Sequence, residues 1–350
     1  VRDSRAKVFC FFFSKKKTFL PRLSWFNHPL KICLGRPNAM NFDFSDDMNH
    51  VRAEARAFLK QHAAGSARRA LEDGTGFDQP LWTEIGKLGW PGAAIPEEFG
   101  GSGLGDEGLC VLAEELGRSL AATPFASTAY LASQALLRFG STAQKERYLP
   151  GLADGSRIGC FGLAEGTGAP RADGIATTLR DGRLHGCKHP VIDGSRADLA
   201  IVAIGDGLAV VELDQPEVAR TVLSTLDPSR DAARLDFTGA PAEPLPGAHG
   251  FSAVETLLDR AAVLFAFEQL GGAQACLDMA RDYALERHAF GRAIGSFQAI
   301  KHKLADVYVA IEIARSNAYY GAWALGADAP DLTSAGAAAR IAATHAYELA

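Results

Sequence analysis

The sequence predicts a mainly α-helical protein with a small β domain in its middle, and three observations carry that prediction. Apolar residues recur at helical spacing from Met40 to about Leu152. Between Ser156 and about Pro246 that period gives way to short runs rich in Ile, Val, Leu and Thr. From Gly250 to Ala350 the helical period returns. No predicted strand alternates with a long helix, so a parallel α/β sheet is not expected. The chain therefore divides into an extension (1–39), an N-terminal helical domain (40–155), a central antiparallel β domain (156–249) and a C-terminal helical bundle (250–350).

The extension carries nine Lys or Arg against one acid, Asp3, which leaves 27 basic and 40 acidic residues for 40–350. Its style differs from the Ala- and Gly-rich remainder. It reads as a non-native extension ahead of a start at Met40, or as an organellar targeting segment, which would also be basic and acid-poor. The first helix follows in "MNFDFSDDMNHVRAEARAFLKQ", where Ser45 or Asp46 can cap and Val51, Ala55, Phe58 and Leu59 share a face. "DQPLWTEIGKLGW" predicts a short helix ending at Gly89, and "DEGLCVLAEELGRSL" a longer one. "TAYLASQALLRFG" and "TAQKERYLPGLADG" predict two more, each stopped by Gly or Pro. The loop at 95–105 contains Gly101-Ser102-Gly103, but it follows Pro-Glu-Glu rather than an apolar strand, so it is not a dinucleotide fingerprint.

In the β domain, Asp181-Gly182 and Asp206-Gly207 read as hairpin turns. Beyond it, a run of more than thirty residues without Pro predicts one long helix, whose Gly271-Gly272 pair marks a close helix–helix contact. A second long helix starts near Ser296 or Phe297, and a third begins near Thr333. This third helix carries no Gly or Pro stop, so it is expected to continue past Ala350. Between the two long helices lies "ERHAFGRAIGSFQAIKHKLAD" (286–306), where Phe290-Gly291 and Gly295-Ser296 break the pattern. A tight turn there presents Phe290, Arg292 and Gln298, and reads either as a ligand-holding turn or as an ordinary helix connection.

Composition excludes several classes. Hydrophobic content of 47% and charged content of 22% describe an ordinary globular protein, and no apolar run is long enough for a membrane span. An acidic body is a poor partner for nucleic acid. The six Cys are scattered without a Cys-x-x-Cys pair, which points away from zinc and disulfides and toward a reducing compartment.

Four stretches resemble the acyl-CoA dehydrogenase family: "GWPGAAIPEEFGGSGLG" (89–105), "FGLAEGTGAP" (161–170), "GCKHPVIDGSRADLAIVA" (186–203) and, most specifically, "ALERHAFGRAIGSFQAIKHKLAD" (284–306). The resemblance covers about residues 40–350. It implies that family's fold, FAD as cofactor, α,β-dehydrogenation of an acyl-CoA and an electron-transfer flavoprotein as electron acceptor. It also implies a dimer or a homo- or heterotetramer. The location implied is cytoplasmic, or the mitochondrial matrix if residues 1–39 are a targeting segment. Arg287 would contact the FAD diphosphate from across a subunit interface, with Phe290 on the adenosine side, Phe297 beside it and Gln298 bonding the diphosphate or ribose. Main-chain groups near Phe161, Leu163 and Ala164 would face the flavin ring, and Val191 and Ile192 would lie against it. Asp259 and Arg260 stand where the family contacts CoA, their bland alternative being a solvated helix face.

Departures from the family pattern are concentrated around the ring. Ala164 and Ile192 replace usual Thr or Ser, Pro190 replaces a frequent aromatic, and Pro170-Arg171 stands for Ser-Asp. They point to a divergent branch acting on bulky acyl thioesters. A non-catalytic subunit and a flavin oxidase are the alternative readings. The usual Glu base of the family is expected beyond Ala350, and the second family position for it carries Ala261 or Ala262. Glu268 is a poor substitute, better read as a packing residue, and Glu165 matches a structural loop residue.

Overall fold

The computed structural model describes residues 42–74 and 76–350; the extension 1–39 lies outside them. The first helix, α1 (Asp46–His62), starts where the Ser45 hydroxyl accepts the N–H of Met48 at 3.2 Å. Asp46 and Asp47 occupy its first turn, where the helix dipole favours acids. Ala55 and Leu59 are buried with Val51 and Phe58 packed beside them, which is the face the spacing predicts. Then come α2 (Ser66–Glu72), α3 (Gln79–Lys87), capped by Asp78, and α4 (Gly105–Arg118).

"TAYLASQALLRFG" is not one regular helix. It opens as a π-helical turn over Ala126–Ala132 and tightens into α5 (Ser133–Phe139). Five consecutive residues, Ala126 to Tyr130, are buried, a pattern that a one-faced helical period does not anticipate. Next, α6 (Thr142–Ala153) begins with a full capping box between Ser141 and Gln144. Pro150 lies inside α6 rather than ending it.

The middle of the chain forms a seven-stranded sheet from β1 (Gly159–Gly162), β2 (Thr178–Arg180), β3 (Arg183–Ile192), β4 (Leu199–Ile204), β5 (Gly207–Glu212), β6 (Val218–Val222) and β7 (Ala232–His249). Their order is β1-β4-β5-β7-β3-β2, with β6 also on β7. The expected all-antiparallel sheet needs one correction: β1 and β4 pair in parallel, Gly159 opposite Leu199. The chain between them includes β2 and β3, long enough to return in the same direction. Asp181-Gly182, with φ of 51° and 71°, makes the predicted turn between β2 and β3. The second turn is shifted by one residue: Gly207 already pairs with Ile204, so Gly205-Asp206 form it.

The C-terminal part comprises α7 (Gly250–Glu286), a two-residue strand pair β8 (His288–Ala289) and β9 (Arg292–Ala293), α8 (Gln298–Gly326) and α9 (Leu332–Leu349). Helix α7 packs on α4, α8 and α9, and α4 also touches α8. One hydrophobic core runs continuously from Phe44 and Leu59 through Leu112, Val202 and Phe237 to Phe267, Ile311 and Ala343.

Two glycines set the α4–α7 crossing. A Cβ on Gly117 would stand 1.9 Å from the Glu268 carbonyl oxygen, and one on Gly271 would stand 1.8 Å from that of Glu114. The expected close contact at Gly271-Gly272 is thus present; Gly272 meets the Tyr347 ring. Gly271→Ala forces backbone apart, not a flexible side-chain tip, so it should cost about 2–3 kcal/mol. Gly326→Ala, at a helix end with nothing within 4 Å of the added atom, should change stability by less than about 0.5 kcal/mol. Thermal unfolding of the pair tests this; equal midpoints would refute the close approach.

Candidate functional site

The turn between α7 and α8 is built by two residues in the left-handed region. Phe290 (φ 55°) and Gly291 (φ 76°) fill the centre of the β8–β9 hairpin, closed by His288 opposite Ala293. For a residue with a Cβ this backbone costs about 1–2 kcal/mol. The same residue holds its ring in solvent at 95% exposure. Phe290 is thus unfavourable both in its backbone and in the hydration of its ring. Its ring meets Phe297 edge-on at 6.2 Å, and the Arg292 guanidinium lies 4.1 Å from the Phe297 ring centre.

Arg287 ends α7 as an exposed residue whose carbonyl accepts the N–H of Ile294 at 2.8 Å. Phe297 stands at the start of α8 without a side-chain cap, so the helix opens with free N–H groups beside the exposed Gln298. A fork-shaped cation, an amide and a bare helix N-terminus make a donor set suited to a diphosphate.

The second set of residues lies at the end of the sheet. Phe161 lies in β1, which Gly162 closes, and Leu163 and Ala164 follow; Phe161, Leu163 and Ala164 are half-buried. The Ala164 carbonyl accepts the N–H of His189 at 2.8 Å. Ile192, at the end of β3, is 43% exposed, but Val191 is wholly buried. The Val191 side chain therefore belongs to the core, and only its backbone is left to meet a ligand. The N–H of Ala164 has no partner among the described residues. The uncommitted Ala164 N–H, three residues after Phe161, suits the polar edge of a flat ring. No hydrogen bond, ion pair or ring contact joins this sheet edge to the α7–α8 turn among the described residues.

Beneath Leu163 and Ala164 lies a charged cluster that periodicity did not single out. Lys188 is fully buried, and its Nζ donates to the Leu163 carbonyl at 3.1 Å and to Glu165 Oε1 at 2.6 Å. Glu165 also accepts from Ala176 N, Thr177 N and Thr177 Oγ1 at 2.7–3.0 Å. Burial raises the Glu165 pKa, but these four donors outweigh it and hold the carboxyl down at about 2. The available signal was a lysine at an inward register position of a strand.

Asp259 and Arg260 separate. Asp259 accepts from the Thr333 hydroxyl at 2.7 Å. Arg260 is not on a solvated face: it is 3% exposed and pairs with Asp106 at 2.7 Å and Asp328 at 3.0 Å. Arg138 forks onto the same Asp328 at 2.8 and 2.9 Å. Asp106, Arg138 and Arg260 line an open groove of about 570 Å³ with Pro96, Gln134 and Thr256; Asp259 and Asp328 are not among its lining residues.

Glu268 falls into another polar cluster. It lies beside the Tyr130 hydroxyl, which completes no hydrogen bond, and near Arg230. Burial pushes its pKa up, against the pull of Arg230. Arg230 approaches Asp193 at 3.4 Å, and Asp193 takes a short hydrogen bond from Ser127. Ala261 is buried at the alternative base position.

Two family descriptions match the chain: acyl-CoA dehydrogenase, N-terminal domain, over residues 45–156, and acyl-CoA dehydrogenase, C-terminal domain, over residues 248–350. An acyl-CoA dehydrogenase of Mycolicibacterium smegmatis, IpdE2, is 34% identical over 275 residues, 78% of this chain and 75% of the relative. A chain from the structure of an electron transferring flavoprotein of Acidaminococcus fermentans superposes with a TM-score of 0.80 at 27% identity, over 88% of this chain and 86% of that one. A glutaryl-CoA dehydrogenase of Mycobacterium smegmatis, solved in complex with FADH2, superposes with a TM-score of 0.76 at 25% identity, over 87% and 84% of the two chains. Helical, sheet and helical parts in this order, the turn at 287–298 and a relative this similar over three quarters of its length lead to one conclusion: the chain belongs to the acyl-CoA dehydrogenase family.

Proposed function

We propose that this protein binds FAD between two copies of the chain and dehydrogenates an acyl-CoA thioester between its α and β carbons, passing electrons to an electron-transfer flavoprotein. The observation that carries the reading is the α7–α8 turn, where Phe290 is held in solvent at a backbone cost while Arg287 and Gln298 stand uncovered beside it. Those residues make sense when a second subunit supplies what they touch. The family membership and the FADH2-bound neighbour support the cofactor, and the A. fermentans neighbour supports the acceptor.

Each residue has a part in this reading. Arg287 pairs with the diphosphate, Gln298 and the α8 N-terminus donate to the same region, and Phe290 and Phe297 cover the adenosine. Phe161 and Ile192 cover the ring, and the Leu163–Ala164 backbone donates to its edge. When bound, FAD supplies the hydride-accepting chemistry. Asp259 and Arg260 are proposed to border the CoA path, Arg260 by holding Asp106 and Asp328 in place rather than by direct contact. No acid among residues 42–350 is assigned as the base.

Two measurements test the reading. The purified protein should carry FAD, and Arg287→Ala should weaken its retention about 10- to 100-fold, the loss of a charge-assisted hydrogen bond worth about 1.5–3 kcal/mol. Fluorescence titration of the apoprotein reads this, and an unchanged Kd would take Arg287 out of the site. Under anaerobic conditions, a panel of acyl-CoA thioesters should include one that bleaches the flavin absorbance of the full-length protein. Glu268→Gln should leave the bleaching rate within about twofold, since the carboxyl is placed in packing. A loss of a hundredfold or more would instead make Glu268 the base.

A further inference from the structure

A buried lysine that touches no solvent needs a reason. Moving an ammonium out of water costs several kcal/mol unless it is paired and fully bonded, yet Lys188 is 0% exposed at the sheet end. Strand β1 is shaped to it: a Cβ on Gly162 would stand 3.0 Å from the Lys188 stem. The ammonium bonds the two residues that flank Ala164, through the Leu163 carbonyl and the Glu165 carboxylate. The neighbouring His189 N–H takes the Ala164 carbonyl, and the His189 carbonyl takes the Gly166 N–H at 3.1 Å. The Leu163 and Ala164 carbonyls are thus both tied to β3.

A trans peptide is planar, with its carbonyl and the following N–H pointing in opposite directions. Fixing the Leu163 oxygen on Lys188 therefore fixes the Ala164 N–H on the other side of the same peptide. That N–H has no partner among the described residues. Ala164 also has no side-chain donor, so its backbone is the only polar group it can offer.

We propose that Lys188, braced by Glu165 and Thr177, is a positioning residue that aims the Ala164 N–H at the edge of the flavin and favours the reduced, electron-rich ring. This rests on the flavin reading above. A donor at the polar edge stabilises the reduced form more than the oxidised one. A general loosening of the site would weaken both forms alike and leave their ratio unchanged. The reduction potential therefore separates positioning from mere support.

The experiment uses the FAD-loaded full chain, with Lys188→Met and Thr177→Val, each checked for native circular dichroism. Lys188→Met should lower the ratio of reduced-form to oxidised-form affinity about tenfold, a fall of about 30 mV for a two-electron couple, read by reductive titration against an indicator dye. Thr177→Val, which removes one donor from Glu165 and leaves Lys188 in place, should move the potential the same way by about half as much. If Lys188→Met does not fold, Thr177→Val alone carries the test. Folded variants that hold FAD at the wild-type potential would overturn the proposal, as would weaker FAD binding with an unmoved potential. Wild-type protein that binds no FAD would instead overturn the flavin reading.

Discussion

The rest of the structure depends on how closely α4 and α7 cross. Gly117 and Gly271 each receive the other helix's backbone, at the carbonyls of Glu268 and Glu114, where any Cβ would collide. The crossing joins the N-terminal helices to the bundle, and the charged pairs beside it follow from it. Arg118 reaches Asp278 at 2.6 Å, Arg315 reaches Glu114 at 2.9 Å, and Arg56 forks onto the wholly buried Glu115 at 2.6 and 2.9 Å. Buried pairs of this kind add little net stability, since desolvation offsets attraction, but each punishes a slipped register. The same crossing sets Glu268 beside Tyr130, in the packing expected of it from the sequence rather than at a base position.

Much of this fold was legible where local chemistry decides it. Ser45 caps the first helix as expected, Asp181-Gly182 turns, and Gly291 marks the break before α8. The reading failed where distant chain decides. Strand β7 continues to His249 through Pro241, Pro244 and Pro246, because its two halves pair with different neighbours and a proline need not face a partner carbonyl along the whole length. The parallel pairing of β1 with β4 is a matter of topology, invisible in the residues of either strand. The π-helical turn at 126–132 answers to burial on every side, which a hydrophobic period measures poorly.

The candidate site divides in the same way. Arg287, Phe290 and Gln298 were visible because a short motif carries them. That Phe290 would be thrust into solvent was not, since exposure is a property of everything that fails to cover it. Arg260 shows the reverse error. On a helix wheel it passes for a surface residue, and only the arrival of Asp106, 154 residues earlier in the chain, makes it a buried cation. Val191 looked like a ring contact and is core, because a strand's alternate residues face opposite sides and its side falls inward.

These features share a physical logic. At Ala164, Pro190 and Ile192 the sheet end has no side-chain hydroxyls or aromatic groups, so recognition there falls to the backbone. A backbone donor is lost only on substitution by proline, but its direction is only as firm as the scaffold behind it. That scaffold is an ion pair rather than apolar packing. The Glu165 pKa is depressed to about 2, so its contribution is complete above the ordinary carboxylate range and fades only as pH falls toward 2. Lys188 is drawn down by burial, but its hydrogen bond and charge pairing with Glu165 oppose that. An apolar pair of the same volume would fill the space at lower desolvation cost. It would leave the Leu163 carbonyl unbonded, and the Ala164 N–H on the far side of that peptide would then be free to turn.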